Sequence, residues 1–343
     1  MFPIIMGNKR LRMMNNCNLA FNTASLSYFV MTVSIEEDTK NFLVMLKKEI
    51  VVKSGTYPKK ILIAGMGGSG IGGRIMETLA NYNTIGEISS WNSYGIPEWT
   101  SSEDSLICVS YSGNTAETLS AAKEAHIKGC KIEVITTGGK LGDLADKNNW
   151  DKTIIENGHQ PRAALPLLLK PLLYKINIPK IEEIVEEVSR QDYDKYKIFN
   201  ITSKLFGKIP CIYTEPLLEP VGYRWRCQIQ ENAKQLAFHH VVPEMNHNEI
   251  VGWTNSNQSM IPVIIRKEDE SDEIKNRFEA LKNTAWKNTS IEEIFLKSQH
   301  NLSKILEGVF IGDMVSIQLA KRNNIDPTPV KVIEKLKIAL DGK

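Results

Sequence analysis

A glycine-dense stretch directly after a short apolar run, KILIAGMGGSGIGG at residues 60–73, most restricts how this chain can fold. The apolar residues 61–64 predict a buried strand, and the residues from about Arg74 to Ala80 predict a helix after a glycine turn. Glycine permits positive φ and lets another group approach the main chain closely. Because a strand-to-helix junction presents free N–H groups and the positive end of the helix dipole, the stretch predicts a phosphate-binding loop.

Other glycine loops compete for the same stretch. It lacks the Gly-Lys-Ser/Thr ending of a nucleoside-triphosphate loop, whereas residues 65–70 fit the G-x-G-x-x-G pattern of dinucleotide-binding folds. Such folds place an acidic residue about 20 positions on, at the end of the second strand. Glu87 stands near that distance but precedes Ile88 instead of ending a strand. A tight turn without a ligand also stays open.

Composition excludes several classes of partner. The 343 residues, enough for two domains or one large one, carry 42 basic and 40 acidic side chains, for a net charge of +2. No basic block is interleaved with aromatic residues, so we expect no nucleic-acid partner. No apolar stretch is long enough to span a membrane, so we expect no membrane partner. The five cysteines form no C-x-x-C pair, which argues against a zinc site and favours a reducing, cytoplasmic location.

Strands alternate with helices along most of the chain, which predicts an α/β fold with doubly wound parallel sheets and helices on both faces. Residues 1–33 lack this pattern, and we interpret them as an extension that is disordered or precedes the natural start at Met31. Strands are expected at 84–90, 105–110, 131–136, 208–214, 260–266 and 290–296. Helices are expected at 34–52, 116–128, 180–195, 222–237, 272–286, 312–322 and 330–340.

A second polar turn follows the apolar strand at 105–110. Ser110, Ser112 and Thr115 crowd the start of the next helix around Gly113. Their hydroxyls and the free N–H groups of the first helical turn can bind a phosphate without any lysine. Capping that helix would need one such residue, not several. Ser69 would lie beside this turn if the two strands are neighbours.

Several motifs in order carry a family resemblance. Residues 65–70 with 110–118 resemble a sugar isomerase (SIS) domain. The segments PRAALP at 161–166, ENAK at 231–234, PEMNHNE at 243–249 and DPTP at 326–329 resemble the bifunctional phosphoglucose/phosphomannose isomerase family. The similarity runs from about Ser34 to the end of the chain.

The resemblance implies two flavodoxin-like SIS domains at 34–157 and 201–343, joined by a connecting segment at 158–200. It also implies a homodimeric aldose–ketose isomerase that uses sugar 6-phosphates and needs no metal or other cofactor. The sugar phosphate would be held by Gly67, Gly68, Ser69, Ser110, Ser112 and Thr115. Thr328 matches a position linked to accepting the mannose as well as the glucose configuration.

The resemblance also assigns the chemistry. Glu231 would be the base that moves a proton between C1 and C2, and a carboxylate on one face of an enediol can do this. Arg162 would stabilise the charge on the enediolate oxygen. His247 would assist ring opening near neutral pH, from its own or the partner subunit. Lys337 would contact the substrate, with Lys335 as the alternative.

Each of these residues also has an ordinary structural interpretation. Glu231 could be a solvated helix residue, Arg162 could pair with an acid in a loop, and Lys337 could be a surface charge. His247 follows two other histidines, yet no H-E-x-x-H spacing suggests a metal site. Glu244 and Glu249 flank His247 and either orient it or face solvent.

Three other functions remain as alternatives. A regulator that senses a sugar phosphate would keep the polar turn at 110–118 but would not need Glu231 or His247. A nicotinamide-dependent enzyme would use the first glycine turn, although the serine-rich second turn argues against it. A glutamine-using aminosugar synthase is disfavoured, because no N-terminal catalytic cysteine precedes the paired domains.

Overall fold

Two parallel β-sheets organise this α/β fold, one of five strands and one of four, with helices packed on them. The computed structural model describes residues 34–52, 60–83, 85–191, 195–255 and 259–341. The expected extension at 1–33 lies outside the described residues. Within the described ranges, every helix is too short or too polar to cross a bilayer.

Two short helices begin the described chain, α1 (Ile35–Lys40) and α2 (Phe42–Lys47). The Ser34 hydroxyl accepts a hydrogen bond from the Glu37 main-chain N–H at 3.2 Å, which fixes the start of α1. The single helix expected over 34–52 is therefore divided at Asn41 and ends earlier than expected.

The first sheet contains β1 (Lys60–Ala64), β2 (Glu87–Trp91), β3 (Ser105–Ser110), β4 (Lys131–Thr136) and β5 (Asp151–Ile154). Its order is β2-β1-β3-β4-β5 with every pair parallel, the flavodoxin-like order. The crossover helices are α3 (Gly67–Tyr82), α4 (Ala116–Ile127) and α5 (Gly139–Asn148). β2 is added on one side of β1 and β3 on the other, so the strand order reverses between β1 and β3. Ligands bind at such a switch point in folds of this type.

Helix α3 begins earlier than its sequence predicts. The glycine stretch was expected to form a turn as far as residue 73, but it forms the first turns of α3 from Gly67. The glycines serve close packing there. A Cβ on Gly72 would lie 2.9 Å from Leu172 Cδ1, and one on Gly73 would lie 2.8 Å from Ser90 Oγ. The helix can therefore approach its neighbours only without side chains at these positions.

The segment between the sheets carries two helices, α6 (Leu165–Lys175) and α7 (Ile181–Arg190). Helix α6 was not expected, because two prolines interrupt its apolar sequence. Nearly all of its residues are nevertheless buried in the main core. Pro166 stands in its first turn, where the missing N–H costs no helical hydrogen bond.

The second half contains α8 (Lys195–Leu205), β6 (Ile209–Thr214), α9 (Glu219–Ala233), β7 (Phe238–Val241), β8 (Met260–Lys267), α10 (Asp272–Asn283), β9 (Glu292–Leu296), α11 (Asn301–Arg322) and α12 (Lys331–Asp341). The sheet order is β7-β6-β8-β9, again with every pair parallel. Strand β7 was not expected, because it is short and holds two histidines.

Helices α3 and α9 pack against each other in opposite directions. Arg74, in α3, pairs at 2.9 Å with Glu219, the first residue of α9. The loop of Arg162 bridges the other ends of the two helices, because Gly68 meets its main chain and Asn232 meets its side chain. The carboxyl edge of the first sheet therefore lies on the same side of the molecule as the amino edge of the second.

Candidate active site

The carboxyl ends of β1 and β3 bring three of the expected phosphate ligands together. The main-chain N–H of Tyr111 donates to Ser69 Oγ at 3.2 Å. Ser110 Oγ lies 2.9 Å from Thr115 Oγ1. Ser69 and Ser110 are buried, and the side chain of Thr115 does not cap α4. These hydroxyls form a polar cup, which we define as Ser69, Ser110 and Thr115, at the switch point of the first sheet.

Ser112 is exposed at the rim of this cup. Its Oγ accepts from the Asn114 main-chain N–H at 3.2 Å, while the Gly113 N–H donates to Ser110 Oγ at 3.1 Å. Gly67 is also exposed, at the first residue of α3. The turn is thus held by local hydrogen bonds. In α3 the Ser69 N–H donates to the Met66 carbonyl oxygen at 3.0 Å, which leaves the Gly67 and Gly68 amides without a partner in the helix.

Gly68 connects the cup to Arg162. A Cβ on Gly68 would lie 2.9 Å from both Arg162 Cα and the Pro161 carbonyl oxygen, so only glycine allows the Arg162 loop to approach α3 this closely. Asp38, which is fully buried, fixes the other end of the loop. Its carboxylate accepts from the Gln160 N–H at 2.7 Å and contacts His159 Nδ1 at 2.6 Å.

The guanidinium group of Arg162 links its own loop to two distant segments, the end of α9 and residues 327–328. Its Nε donates to Asn232 Oδ1 at 2.8 Å. Its Nη2 donates to the carbonyl oxygens of Pro327 at 2.6 Å and Thr328 at 3.0 Å. The Glu231 carboxylate lies near, with Oε2 3.5 Å from Nε. We define Arg162, Glu231 and Asn232 as the arginine–glutamate cluster.

Burial lowers the pKa of Arg162, and the nearby Glu231 carboxylate opposes that effect. Arginine is the most basic side chain, so the group stays a cation at neutral pH. Lys234 adds a second cation, whose Nζ donates to the Glu231 carbonyl oxygen at 2.5 Å and to Pro327 O at 3.1 Å. Burial lowers the pKa of Lys234, with repulsion from Arg162 as a further cause. Two cations therefore lie near Glu231, and the negative charge of Asp326 acts on both of them.

Glu231 borders a groove. Its side chain is 31% exposed in the last turn of α9, so it is neither buried nor freely solvated. The groove has a volume of about 650 Å³ and runs between the end of α9 and the start of α12. Glu231, Lys234 and Asp326 line it, whereas Arg162 and the residues of the polar cup are not among its lining residues.

His247 lies at the carboxyl edge of the second sheet, whereas Glu231 lies at the amino edge. His247 ends a short 3₁₀-helix, Glu244–His247, just after β7, and it is exposed. Glu231 precedes β7 instead, at the end of α9, whose 15 residues span roughly 22 Å. The structure of one chain therefore does not bring His247 and Glu231 together.

Neither flanking glutamate hydrogen-bonds to His247 in the part of the chain that the structure describes. Glu249 contacts His240 Nδ1 at 2.9 Å and accepts from the Tyr213 hydroxyl. Glu244 accepts from Asn248 Nδ2 at 3.0 Å. Both acids hold the polypeptide around His247 instead of its ring.

The expected residues near the carboxyl terminus divide into two groups. Thr328 reaches the arginine–glutamate cluster through its carbonyl oxygen. Lys335 and Lys337 lie on α12, where residues 331–340 are all exposed, and neither forms a hydrogen bond with the described residues. Because residues two apart on a helix face different directions, at most one of these lysines can face the groove.

Sequence reasoning missed the buried polar side chains behind Arg162. Arg224 donates to the Arg162 carbonyl oxygen at 2.9 Å and pairs with Asp313 at 2.6 Å. Both lie within the contact between α9 and α11 and are 2% exposed. One signal existed: Asp313 is a lone acid in the apolar sequence VFIGDMVSI, and a charge there requires a buried partner. No group of three His, Cys, Asp or Glu in the described ranges could hold a metal ion.

Comparison with known proteins gives consistent matches. The family model described as "Bacterial phospho-glucose isomerase C-terminal SIS domain" matches residues 195–340. A relative from Caldicellulosiruptor bescii, named bifunctional phosphoglucose/phosphomannose isomerase, is 36% identical over 320 residues. The match covers 87% of this chain and 92% of the relative.

Two further matches widen the range. A relative from Sulfolobus acidocaldarius, named D-glucosamine-6-phosphate 4-epimerase, is 30% identical over 292 residues, covering 81% of this chain and 88% of the relative. Among solved structures, the C-terminal domain of glucosamine-fructose-6-phosphate aminotransferase from Francisella tularensis superposes with a TM-score of 0.65 at 14% identity. That match covers 86% of this chain and 96% of the other, and it shows the shared SIS-like fold.

Proposed function

The chain belongs to the bifunctional phosphoglucose/phosphomannose isomerase family, and we propose that it interconverts glucose 6-phosphate and mannose 6-phosphate with fructose 6-phosphate through a cis-enediolate. The observation that carries this proposal is the position of Glu231 beside Arg162. The loop of Arg162 contacts α3 at Gly68, next to the polar cup. A base and a cation at this separation suit proton transfer next to a carbonyl group.

The two parts of the site have separate tasks in this proposal. The hydroxyls of Ser69, Ser110 and Thr115 bind the phosphate, together with Ser112 and the amides at Gly67 and Gly68. The Glu231 carboxylate takes the proton from C2 of the aldose and returns it to C1 of the enediolate. Arg162 stabilises the oxygen charge that develops between these steps. Thr328 and Lys337 complete the sugar contacts, and Lys335 is the alternative to Lys337.

The proposal includes a homodimer. His247 and Glu231 lie at opposite edges of the second sheet in one chain, so ring opening by His247 needs a second copy whose His247 reaches the groove. The exposed apolar side chains of α12, among them Val332 and Leu336, favour association near this groove. Mixing the Glu231→Gln and His247→Ala variants tests the arrangement. In a hybrid dimer, one site would combine the intact Glu231 of one subunit with the intact His247 of the other, so each hybrid dimer would regain one active site. No recovery would contradict it.

The decisive assay measures turnover of glucose 6-phosphate and mannose 6-phosphate in the presence of a metal chelator. We expect both aldoses to give fructose 6-phosphate without added metal or nucleotide. Glucosamine 6-phosphate is assayed in parallel, because a relative that is 30% identical is named for epimerising it. Activity on the aminosugar alone would replace the proposal, and sugar-phosphate binding without any turnover would favour a sensor.

A further inference from the structure

Asn232 occupies the position that an ion pair between Arg162 and Glu231 would use. The Nε hydrogen of Arg162 goes to Asn232 Oδ1 at 2.8 Å. The Glu231 carboxylate is 3.5 Å from the same Nε, which is too far for a normal hydrogen bond. Nη2 is taken by the carbonyl oxygens of Pro327 and Thr328. Nη1 has no hydrogen-bond partner among the residues that the structure describes.

Ser316, on the side of Asn232 away from Arg162, fixes which way the Asn232 amide group points. Ser316 Oγ donates to the Asp313 carbonyl oxygen at 2.6 Å, so this oxygen can only accept from the amide of Asn232. The contact from Asn232 Nδ2 to Ser316 Oγ is 2.9 Å. Asn232 and Ser316 are both fully buried. The amide nitrogen therefore faces Ser316, and Oδ1 must face Arg162.

We propose that Asn232 is a positioning residue that takes the Nε hydrogen of Arg162 and so prevents a two-bond ion pair with Glu231. Arginine and carboxylate form such pairs readily, because the guanidinium fork matches the two oxygens. A closed pair would occupy the carboxylate that must accept the proton and would turn Nη1 away from the substrate oxygen. This inference rests on the proposed roles of Arg162 and Glu231.

The test replaces Asn232 with leucine, which has a similar size but no acceptor. We expect kcat to fall about 10- to 100-fold, as for loss of a hydrogen bond to a charged group, while KM changes less than about threefold because the phosphate is held elsewhere. The matched control is Gln228→Leu. Gln228 is another buried amide on α9, one turn earlier, whose Nε2 donates to Asp313 at 3.0 Å. We expect a similar loss of thermal stability there, but little change in kcat.

A double-mutant cycle separates positioning from general damage. In an Arg162→Gln background, Asn232→Leu should lower kcat no further, because its effect acts through the arginine. An equal additional loss in that background would overturn the proposal. If Asn232→Leu does not fold, Ser316→Ala serves instead. It frees the amide to turn, and we expect roughly a two- to fivefold loss of kcat.

A crystal structure of the Asn232→Leu variant gives a readout that does not depend on activity. We expect the distance from Arg162 Nε to the Glu231 carboxylate to shorten to about 2.9 Å. An arginine in its original position would overturn the inference even if the isomerase activity is established. Conversely, an inactive wild-type enzyme would contradict the proposed function and leave this structural result intact.

Discussion

The polar cup and the arginine–glutamate cluster are built in different ways, although they lie next to each other. The cup arises from two neighbouring strand ends, and the contact between Ser69 and Tyr111 joins positions only 42 residues apart. The cluster joins Arg162 to partners 70, 165 and 166 positions away. The cup therefore follows from sheet geometry, whereas the cluster depends on how α9 and α11 pack.

This difference predicts different responses to substitution. In the proposed site several hydroxyls and amides share the phosphate, so we expect the loss of one to be partly compensated by the rest. Each member of the cluster has one task and no duplicate. We therefore expect the cup to control KM and the cluster to control kcat.

The largest effect is expected for Glu231→Gln, which keeps the shape of the side chain but removes the proposed base. We expect kcat to fall by at least about 10³-fold while sugar-phosphate binding is kept, since general-base catalysis contributes roughly 10²–10⁴-fold. Glu273→Gln, at an exposed position in the first turn of α10, is the control with kcat close to wild type. Substantial residual turnover by Glu231→Gln would mean that another group is the base.

A smaller loss is expected for Arg162→Lys, which keeps the charge but not the planar fork. Lysine cannot reach Asn232, Pro327 and the substrate oxygen together, so kcat should fall about 10²-fold with a modest change in KM. Steady-state kinetics on fructose 6-phosphate measure both constants. Arg322→Lys, on the surface end of α11, is the control. A rise in KM alone would place Arg162 with the cup.

The cup should respond in KM. For Ser110→Ala we expect KM to rise about tenfold with kcat within about threefold, because binding is lost equally in the ground and transition states. Ser189→Ala is the control, because this hydroxyl donates to the Val185 carbonyl oxygen within α7. A loss confined to kcat would remove the distinction between the two parts of the site.

The smallest functional effect is expected at His239, which belongs to neither part. Its ring packs against Gly222 and lies 3.1 Å from Thr214 Oγ1. Burial lowers the pKa of His239 to about 3. The folded protein therefore keeps the ring neutral, whereas the unfolded chain binds a proton below about pH 6.5. The resulting stability is present above that pH and is lost as the pH falls towards 3.

His239→Gln should remove this dependence without lowering kcat at pH 7. Between pH 7 and pH 5 the wild type should lose about 2 kcal/mol more free energy of unfolding than the variant, measured by urea denaturation. The exposed His126→Gln serves as the control, with the wild-type slope. Equal slopes in wild type and His239→Gln would show that another group sets the acid sensitivity.

The sequence predicted features that depend on neighbouring residues better than contacts between residues far apart in the chain. Strands β1 and β3 and the hydroxyls of the cup follow from apolar runs that end in Gly, Ser and Thr, and each is set by residues a few positions apart. The predicted start of α3 was wrong, because these glycines allow close packing of a helix and do not form a turn. The orientation of Arg162 could not be predicted from the sequence. It depends on Asn232, Arg224 and Asp313, and no sequence pattern marks these residues as partners before α9 and α11 bury them together.

The position of His247 shows the same limit. Its motif suggests a catalytic histidine, but the sequence does not say that α9 carries Glu231 to the opposite edge of the sheet. The match to known relatives identifies the family, while the path of the chain shows that His247 and Glu231 of one copy lie at opposite edges of the second sheet.

The most direct test of the central claim is a crystal structure of the Glu231→Gln variant with fructose 6-phosphate. We predict that the phosphate lies on Ser69, Ser110 and Thr115, and that C1 and C2 lie within about 4 Å of residue 231. A phosphate bound elsewhere, or sugar carbons remote from residue 231 in every subunit, would contradict the account.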